Sequence, residues 1–289
     1  MYTSQISVSH PGCLLYLVDQ SASMNDGWIT DPTGLVSKSE LVCDAINRVL
    51  AEQIMRATRG SVVRNWFDVG ILGYSTNGNG FPVLESLFDG TLAGRTLVTL
   101  SELSKHPLDQ VPRELPVGLG ATFRRRTHPV WIKPRPGCGT PMRAAIERCY
   151  EILGEWIVSH PYAYPPIVIN LTEGESSDGD PCEAANALMR LDTGDGNVLL
   201  LNCSLGASVG PPVLYAADRG ELPDSYAGML FDMSSELPER TIAAGRSAGL
   251  PMRSGSRGLV YNAGAVDLVS FMGLLNLMDI GTIMASDNR

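Results

Sequence analysis

Apolar segments that suit buried strands alternate along this sequence with amphipathic segments that suit helices. This alternation predicts an α/β fold: a Rossmann-like, doubly wound and mostly parallel sheet with helices on both faces. The chain has 289 residues, 44% of them hydrophobic, which is enough for one large domain with a substantial core. Since neither an internal repeat nor a linker interrupts the pattern, we expect a single domain over residues 1–289.

The first half of the chain supplies two predicted strands, a helix and a hairpin. Residues 13–19 form a continuous apolar run that ends at a polar turn, which is typical of a buried strand. Residues 39–57 carry apolar side chains at helical spacing and are followed by a Thr-Arg-Gly stop. A second strand is predicted at 66–74, and an Asn-Gly turn leads to a return strand at 81–87. The pattern of residues 95–103 is ambiguous.

The second half begins with an irregular segment and then returns to strands and helices. Residues 105–139 are rich in proline and glycine, so we expect a long surface loop or insertion there. A helix is predicted at 141–158 with Pro141 in its first turn, and another at 181–191 with Asp180 as its cap. Further strands are expected at 166–171, 197–203, 213–215 and 258–262, and further helices at 224–231, 239–248 and 266–278.

The charge balance and the cysteines exclude several classes of protein. The net charge of −9 argues against a nucleic-acid binder and against an anionic membrane surface as partner, because both need a basic face. Apolar runs stay far below the ~20 residues that span a bilayer, and the first residues lack the charged start and apolar centre of a secretory signal. The six cysteines form no C-x-x-C pair, so we expect buried free thiols and a reducing, cytoplasmic location.

A D-x-S-x-S motif directly follows the first predicted strand, as Asp19-Gln20-Ser21-Ala22-Ser23. Strand ends in open α/β sheets are where such folds bind ligands. Alternate side chains of an extended turn point the same way, so Asp19, Ser21 and Ser23 can converge on one point. Their carboxylate and hydroxyl oxygens suit Mg²⁺, Mn²⁺ or Ca²⁺ rather than zinc. Taken alone, the motif is also compatible with an ordinary turn or helix cap.

Two further segments place oxygen ligands at the boundaries of predicted elements. Thr140 lies in Gly-Cys-Gly-Thr-Pro-Met, at the start of the helix predicted at 141–158. Glu173 follows the apolar strand predicted at 166–171 and is a second carboxylate at a strand end. The three segments together therefore strengthen the prediction of a metal site.

In this order, the three segments resemble the metal-ion-dependent adhesion site of von Willebrand factor A (vWA) domains. Asp19, Ser21 and Ser23 match the D-x-S-x-S segment of that family, and Thr140 matches its threonine segment. Glu173 stands where the family usually has aspartate. The resemblance spans about residues 13–203 and implies the strand order 3-2-1-4-5-6, in which the first and fourth strands are neighbours at the topological switch point.

The departures from the family pattern leave two points open. Ala22 replaces the common glycine, which is a mild change. Glu173 is one methylene longer than aspartate, so it keeps the charge but leaves the coordination geometry and the metal preference undetermined. Asp178, five residues further along, is the alternative second acidic ligand.

The resemblance implies a function without chemistry at the metal. In vWA domains the bound divalent cation is typically completed by an Asp or Glu of a partner protein, so we expect a metal-dependent protein-binding module and not an enzyme. Residues 230–238 and 257–263 also resemble, more loosely, bacterial vWA proteins of tellurium-resistance-type gene clusters. That second resemblance implies a bacterial cytoplasmic adaptor, with a kinase, a phosphatase or an ATPase of the same system as candidate partners.

Alternative interpretations remain for several features. Asp19 at the end of a first strand is also the nucleophile position of haloacid-dehalogenase-like phosphohydrolases, although their D-x-D motif is D-x-S here. A third possibility is an assembly subunit with a degenerate metal site. The single Asp192-Thr193-Gly194 resembles half of an aspartic protease site but fits a helix-to-strand turn better. The basic residues of 124–135 form either a solvated loop or a cationic rim that steers acidic partners; they are Arg124, Arg125, Arg126, Lys133 and Arg135.

Overall fold

The computed structural model describes residues 1–4, 6–31, 34–116, 123–135, 137–206 and 210–276. An eight-stranded sheet forms the centre of this part of the chain. In chain order its strands are β1 (Gly12–Asp19), β2 (Phe67–Thr76), β3 (Pro82–Ser86), β4 (Val98–Thr99), β5 (Ile167–Thr172), β6 (Leu199–Leu205), β7 (Val213–Leu214) and β8 (Leu259–Ala263).

The sheet is mostly parallel and is ordered β7-β8-β6-β5-β1-β2-β3, with β4 paired to β2. Strand β1 lies between β5 and β2 and is parallel to both, and β6 continues the parallel part between β5 and β8. The short or outer strands β3, β4 and β7 pair antiparallel. Without the two-residue strands β4 and β7, the order is 3-2-1-4-5-6. The predicted α/β class and its strand order are therefore confirmed.

The central strands are buried on both faces, as a parallel sheet between two helical layers must be. Side chains of β1 alternate between two hydrophobic clusters, because successive residues of a strand point to opposite faces. One cluster receives Leu14, Tyr16 and Val18, and the other receives Cys13, Leu15 and Leu17. This double burial explains why β1 is a continuous apolar run.

Helices cover both faces of the sheet. In chain order they are α1 (Lys38–Ala57), α2 (Leu100–Lys105), α3 (Met142–Ser159), α4 (Cys182–Leu188), α5 (Ser225–Asp232), α6 (Glu239–Ser247) and α7 (Ala265–Met272). The helices α1, α2, α6 and α7 pack in the cluster that contains Tyr16, whereas α3, α4 and α5 pack in the cluster that contains Leu17. Within the described residues, no helix combines the length and the apolarity needed to cross a bilayer.

The structure defines the ambiguous segment at 95–103 and shortens the predicted C-terminal helix. The ambiguous segment contains strand β4 and most of helix α2. Helix α7 ends at Met272, and one tight turn at Gly273–Asn276 follows it. The last two residues of the helix predicted at 266–278 lie outside the described residues.

The segment at 105–139 is more regular than its prolines predict. It contains an antiparallel hairpin of Asp109–Pro116 and Phe123–Val130, which belongs to a separate two-stranded sheet. Of the two alternatives expected for this segment, the hairpin contradicts an irregular loop and is compatible with an insertion. Each strand of a two-stranded ribbon has one unpaired edge, where a proline without an N–H group is tolerated. After the hairpin, Asn47 of α1 accepts a hydrogen bond from the N–H of Trp131 (2.8 Å) and donates one to the carbonyl of Ile132 (3.0 Å).

A row of buried polar side chains crosses the sheet beneath one helical layer. The hydroxyl of Tyr74 donates to Oδ1 of Asn170 at 2.9 Å, and Nδ2 of Asn170 donates to Oδ1 of Asn202 at 3.0 Å. Nδ2 of Asn202 in turn donates to the hydroxyl of Ser234 at 3.0 Å. Both asparagines are fully buried. Because an unpaired buried amide is costly, this row stabilises the packing of β2, β5 and β6 in one sheet only when it is complete.

Replacing Asn202 with leucine is expected to destabilise the fold. The variant leaves the amide of Asn170 and the hydroxyl of Ser234 without one partner each, which costs about 1–3 kcal/mol. Urea unfolding of Asn202→Leu and wild type measures the difference. Asn79→Leu, at an exposed turn position, is the control and is expected to stay within about 0.5 kcal/mol of wild type. An unchanged stability of Asn202→Leu contradicts the assigned role of the row.

Candidate metal centre

Asp19 is the last residue of β1 and is fully buried. Its Oδ1 accepts a hydrogen bond from the N–H of Ser21 at 2.8 Å. Its Oδ2 accepts from the hydroxyl of Thr172 at 2.9 Å and from the N–H of Glu173 at 3.4 Å. Burial raises the pKa of Asp19, and these hydrogen bonds oppose that increase. The carboxylate therefore joins the ends of β1 and β5 at the switch point of the sheet.

Ser21 and Ser23 follow Asp19 in a turn that brings their hydroxyls together. The two Oγ atoms are 3.3 Å apart. A short 3₁₀ helix at Ala22–Asn25 produces this arrangement, and the buried side chain of Met24 anchors it in the core. The turn thus presents two neutral oxygens beside the Asp19 carboxylate.

Thr140 reaches the same edge of the sheet from the start of α3. Its N–H donates to the hydroxyl of Ser177 at 2.9 Å, and its carbonyl accepts from the N–H of Ser177 at 2.8 Å. The hydroxyl of Thr140 lies 4.0 Å from the position that a Cβ on Gly174 would occupy. These contacts hold Thr140 against the turn after β5, next to Glu173.

Glu173 forms an ion pair that the sequence did not predict. Its Oε1 lies 2.6 Å from Nζ of Lys38, and the two side chains are only 11% and 8% exposed. Its other oxygen, Oε2, is buried and accepts no hydrogen bond from the described residues. Removing one partner of a buried ion pair costs roughly 3–5 kcal/mol, so this pair is a strong local constraint.

A hairpin inserted after the D-x-S-x-S motif brings Lys38 to this position. Its strands are Gly27–Asp31 and Gly34–Ser37, and α1 starts at the next residue. The ammonium group of Lys38 also lies 5.7 Å from the ring centre of Trp28, within the range of a cation–π contact. The β-branched and aromatic residues on either side of Pro32-Thr33-Gly34 in the sequence were a signal for this hairpin.

The donor types fit a hard divalent cation, since every predicted ligand offers oxygen. The described residues contain no group of three or more His, Cys, Asp and Glu side chains that could hold a metal ion, and the predicted set has only two acids. Lys38 offsets one of those two negative charges. The structure thus brings all five predicted residues to one edge of the sheet, and their role as metal ligands stays a prediction.

A cavity of about 350 Å³ opens beside Glu173. Asp224, Tyr226, Tyr261 and Asn262 contribute to its wall. The hydroxyl of Tyr226 donates to the carbonyl of Gly174 at 2.7 Å, and that of Tyr261 donates to Asp224 at 2.7 Å. The site therefore borders a space large enough for a side chain of another molecule.

Asp178 caps the start of α3. Its Oδ1 accepts from the N–H of Arg143 at 3.1 Å, and its Oδ2 accepts from the N–H of Ala144 at 2.9 Å. The hydroxyl of Ser176 donates to Oδ1 as well, at 2.7 Å. A carboxylate at the N-terminus of α3 satisfies free N–H groups and the helix dipole. The structure places the start of the Glu173 turn against Asp19, and which of the two acids is the second metal ligand stays a prediction.

The basic residues of 124–135 have structural partners where the structure describes them. Lys133 pairs with Asp109 at 3.2 Å. Arg135 pairs with Glu85 at 3.3 Å, and its guanidinium also donates to the carbonyl of Ser86 at 3.2 Å. These contacts give the two residues an ordinary structural role. The side chains of residues 124–126 lie outside the described part, so the steering role remains a hypothesis for them.

Three other sequence features have local structural explanations. Asp192–Thr193 and Gly196–Asn197 form a small hairpin between α4 and β6, as expected for a helix-to-strand turn. Arg257 donates to the carbonyls of Phe231 (3.1 Å) and Ser234 (2.9 Å), so the two C-terminal segments of the second resemblance pack together. The six cysteines are free thiols, as expected, but Cys138 is exposed and Cys182 is partly exposed, whereas buried thiols were predicted.

Comparisons with known proteins show only distant structural likeness. No protein-family model matches the sequence, and no curated protein matches it. The ArnB paralog VWA2 from Sulfolobus acidocaldarius is similar over 68% of this chain and 35% of its own, with 16% identity and a TM-score of 0.34. The vWF domain of the type V pili tip protein Mfa5 from Porphyromonas gingivalis matches over 58% and 39%, with 12% identity and a TM-score of 0.31.

The human COPII-coat protein Sec24c matches over 78% of this chain and 28% of its own, with 10% identity and a TM-score of 0.36. This chain thus spans well under half the length of each of these three chains. The fold class stated above rests on the strand order and the two helical layers.

Replacing Asp178 with alanine is expected to weaken the fold without weakening metal binding. Loss of the cap lowers the free energy of unfolding by about 1 kcal/mol. Urea unfolding measures the loss, and calorimetric titration with Mg²⁺ measures the affinity. Asp192→Ala, at an exposed position, is the matched control for stability. A tenfold weaker affinity for Mg²⁺ in Asp178→Ala would instead make this residue the second acidic ligand.

Proposed function

We propose that this chain is a metal-dependent protein-binding module. In this proposal Asp19, Ser21, Ser23, Thr140 and Glu173 hold Mg²⁺, or alternatively Mn²⁺ or Ca²⁺, and an Asp or Glu of a partner protein completes the coordination. When bound, the cation supplies an electrophilic centre for that carboxylate. The residues of this chain hold and orient the cation.

The observation that carries this proposal is the convergence of three separate segments on one edge of the sheet. Asp19 contacts both the Ser21 turn and the start of the Glu173 turn. Thr140 is held against Gly174 by its backbone bonds to Ser177. Such an arrangement of hard oxygens at a switch point is typical of a ligand site in open α/β sheets.

The surroundings of the site support a partner side chain as the ligand. The cavity of about 350 Å³ beside Glu173 provides room for it. The carboxylate of a short acidic side chain is a preferred ligand of a divalent cation in an oxygen site. The vWA resemblance of the motifs points to the same kind of partner.

Hydrolysis at Asp19 is the less supported alternative. A phosphohydrolase of the D-x-D type needs a second aspartate as general acid and base. Ser21 occupies that position here, and its N–H donates to the Asp19 carboxylate. We therefore propose binding without chemistry. Absence of turnover of a generic phosphate ester in the presence of Mg²⁺ is the result we expect.

One observation favours a second candidate, an assembly subunit with a degenerate metal site. Lys38 already supplies a positive charge to Glu173, at 2.6 Å. A chain with such an internal cation can retain the binding surface without the metal. Calorimetric titration distinguishes the two candidates, because this one predicts no heat of binding with Mg²⁺, Mn²⁺ or Ca²⁺.

A bacterial cytoplasmic adaptor is the cellular role that we propose for the module. It rests on the looser resemblance of residues 230–238 and 257–263 to vWA proteins of tellurium-resistance-type clusters. The candidate partners are a kinase, a phosphatase or an ATPase of the same system. The net charge of −9 supports the exclusion of nucleic acid and of anionic membranes as partners.

Replacing Asp19 with alanine is expected to abolish metal binding while the fold survives. Loss of one of two acidic ligands weakens Mg²⁺ affinity by more than about a hundredfold, or about 2.8 kcal/mol. Titration of EDTA-treated protein measures the affinity, and circular dichroism checks the fold. Capture of partners from native cells with Mg²⁺ and with EDTA then tests function for wild type and variant.

The control is Asp192→Ala, which removes the same charge at an exposed position and is expected to bind Mg²⁺ as wild type does. Partner capture by Asp19→Ala in EDTA that equals capture by wild type in Mg²⁺ would show that the metal is unnecessary. In that case the assembly-subunit candidate would replace this proposal.

A further inference from the structure

Lys38 stands where neither its burial nor its helix position favours a cation. Its side chain is 8% exposed, and lysine is almost never buried this far unless it is paired. It is also the first residue of α1, at the positive end of the helix dipole, where acidic side chains are preferred. The pairing with Glu173 compensates for both disadvantages, so the lysine belongs to the site and not to the general surface.

We propose that Lys38 is a tethered counter-ion of the metal centre. It neutralises Glu173 when no divalent cation is bound, and it weakens the binding of a divalent cation to the same carboxylate. This inference rests on the proposed function, because it concerns the regulation of the same site. It adds a residue that the D-x-S-x-S, threonine and acidic segments do not contain.

The geometry of Glu173 makes the competition between Lys38 and a divalent cation for its carboxylate only partial. Lys38 contacts Oε1, whereas Oε2 is buried and accepts no hydrogen bond from the described residues. One carboxylate can therefore face the lysine and a divalent cation at once. Two positive centres on either side of one carboxylate repel each other strongly in a partly desolvated site. The lysine thus lowers the affinity for the metal without occupying every ligand.

The charge balance gives this device a second effect. Asp19, Glu173 and Lys38 together carry one negative charge, so a divalent cation would leave the site with one positive charge. Without Lys38 the occupied site would be neutral. A positive site attracts a partner carboxylate more strongly than a neutral one. The lysine therefore lowers the affinity for the metal and raises the affinity of the occupied site for the partner carboxylate.

The hairpin at Gly27–Asp31 and Gly34–Ser37 holds Lys38 in place. Trp28 lies against the ammonium group, with 5.7 Å between Nζ and the ring centre. Ser37 caps α1 by accepting a hydrogen bond from the N–H of Glu40 at 3.2 Å. The start of the helix, and with it the position of Lys38, is thereby defined from both sides.

Lys38→Met tests the inference, because methionine keeps the length of the side chain and removes its charge. Titration of EDTA-treated protein with Mg²⁺ is expected to show at least about tenfold tighter binding than wild type, since the repulsion is gone. In EDTA the urea midpoint is expected to fall, because Glu173 loses its partner. Saturating Mg²⁺ is expected to restore most of that loss.

Three further variants make the result specific. Lys105→Met removes the same charge at an exposed position at the end of α2. Helix α2 follows β4, which pairs with the first residues of β2, whereas Asp19 lies beside the other end of β2. It is expected to leave Mg²⁺ affinity unchanged. The double variant Lys38→Met with Glu173→Gln is expected to recover the midpoint in EDTA. If Lys38→Met does not fold, the same test compares the Mg²⁺ affinity of the double variant with that of Glu173→Gln alone. Tighter Mg²⁺ binding by the double variant supports the inference.

The outcomes separate the two proposals. Equal Mg²⁺ affinity of wild type and Lys38→Met overturns the counter-ion role and leaves the metal-dependent function intact. Binding by Lys38→Met but not by wild type supports the counter-ion role and overturns the metal-dependent function of the natural chain. Absence of binding by both overturns both proposals.

Discussion

Burial of one carboxylate at the end of the central strand is the constraint on which the site depends. Asp19 is fully buried and shares its two oxygens among donors from its own turn and from the end of β5. A buried acid without such donors would be severely destabilising, so the turns after β1 and β5 must adopt the conformations that supply them. The same two turns carry Ser21, Ser23 and Glu173. The conformations of these two turns and the candidate site therefore depend on the same hydrogen bonds.

Much of this arrangement could be predicted from local sequence because each signal has a direct physical cause. A strand buried on both faces must be apolar at every position, and β1 is, up to Asp19. The α3 segment has apolar residues at helical spacing after Thr140-Pro141, which defines where it begins. Once the strands are parallel and in the order 3-2-1-4-5-6, the residues that follow β1 and β5 must be neighbours.

The remaining features depend on contacts between segments far apart in the chain. Nothing local distinguishes Lys38 from a solvated lysine at a helix start, because its partner Glu173 is distant in sequence. Asp178 resembles a ligand in sequence, and only the position of α3 shows that it accepts from Arg143 and Ala144. The prolines of Asp109–Pro116 and Phe123–Val130 argued against strands in the sequence, but a two-stranded ribbon tolerates proline at its free edges.

The row of Asn170 and Asn202 has a consequence for how the parallel strands find their alignment. The strands β5 and β6 consist largely of aliphatic residues, which would pack almost equally well if one strand slid along the other. Asn170 pairs directly with Asn202 in the observed alignment. A slip of one residue would turn one amide to the opposite face of the sheet and leave both without their partners. Two adjacent polar side chains in an apolar interior thereby select one register of β5 and β6. This register also sets the position of the turn that carries Glu173 and of the neighbouring cavity.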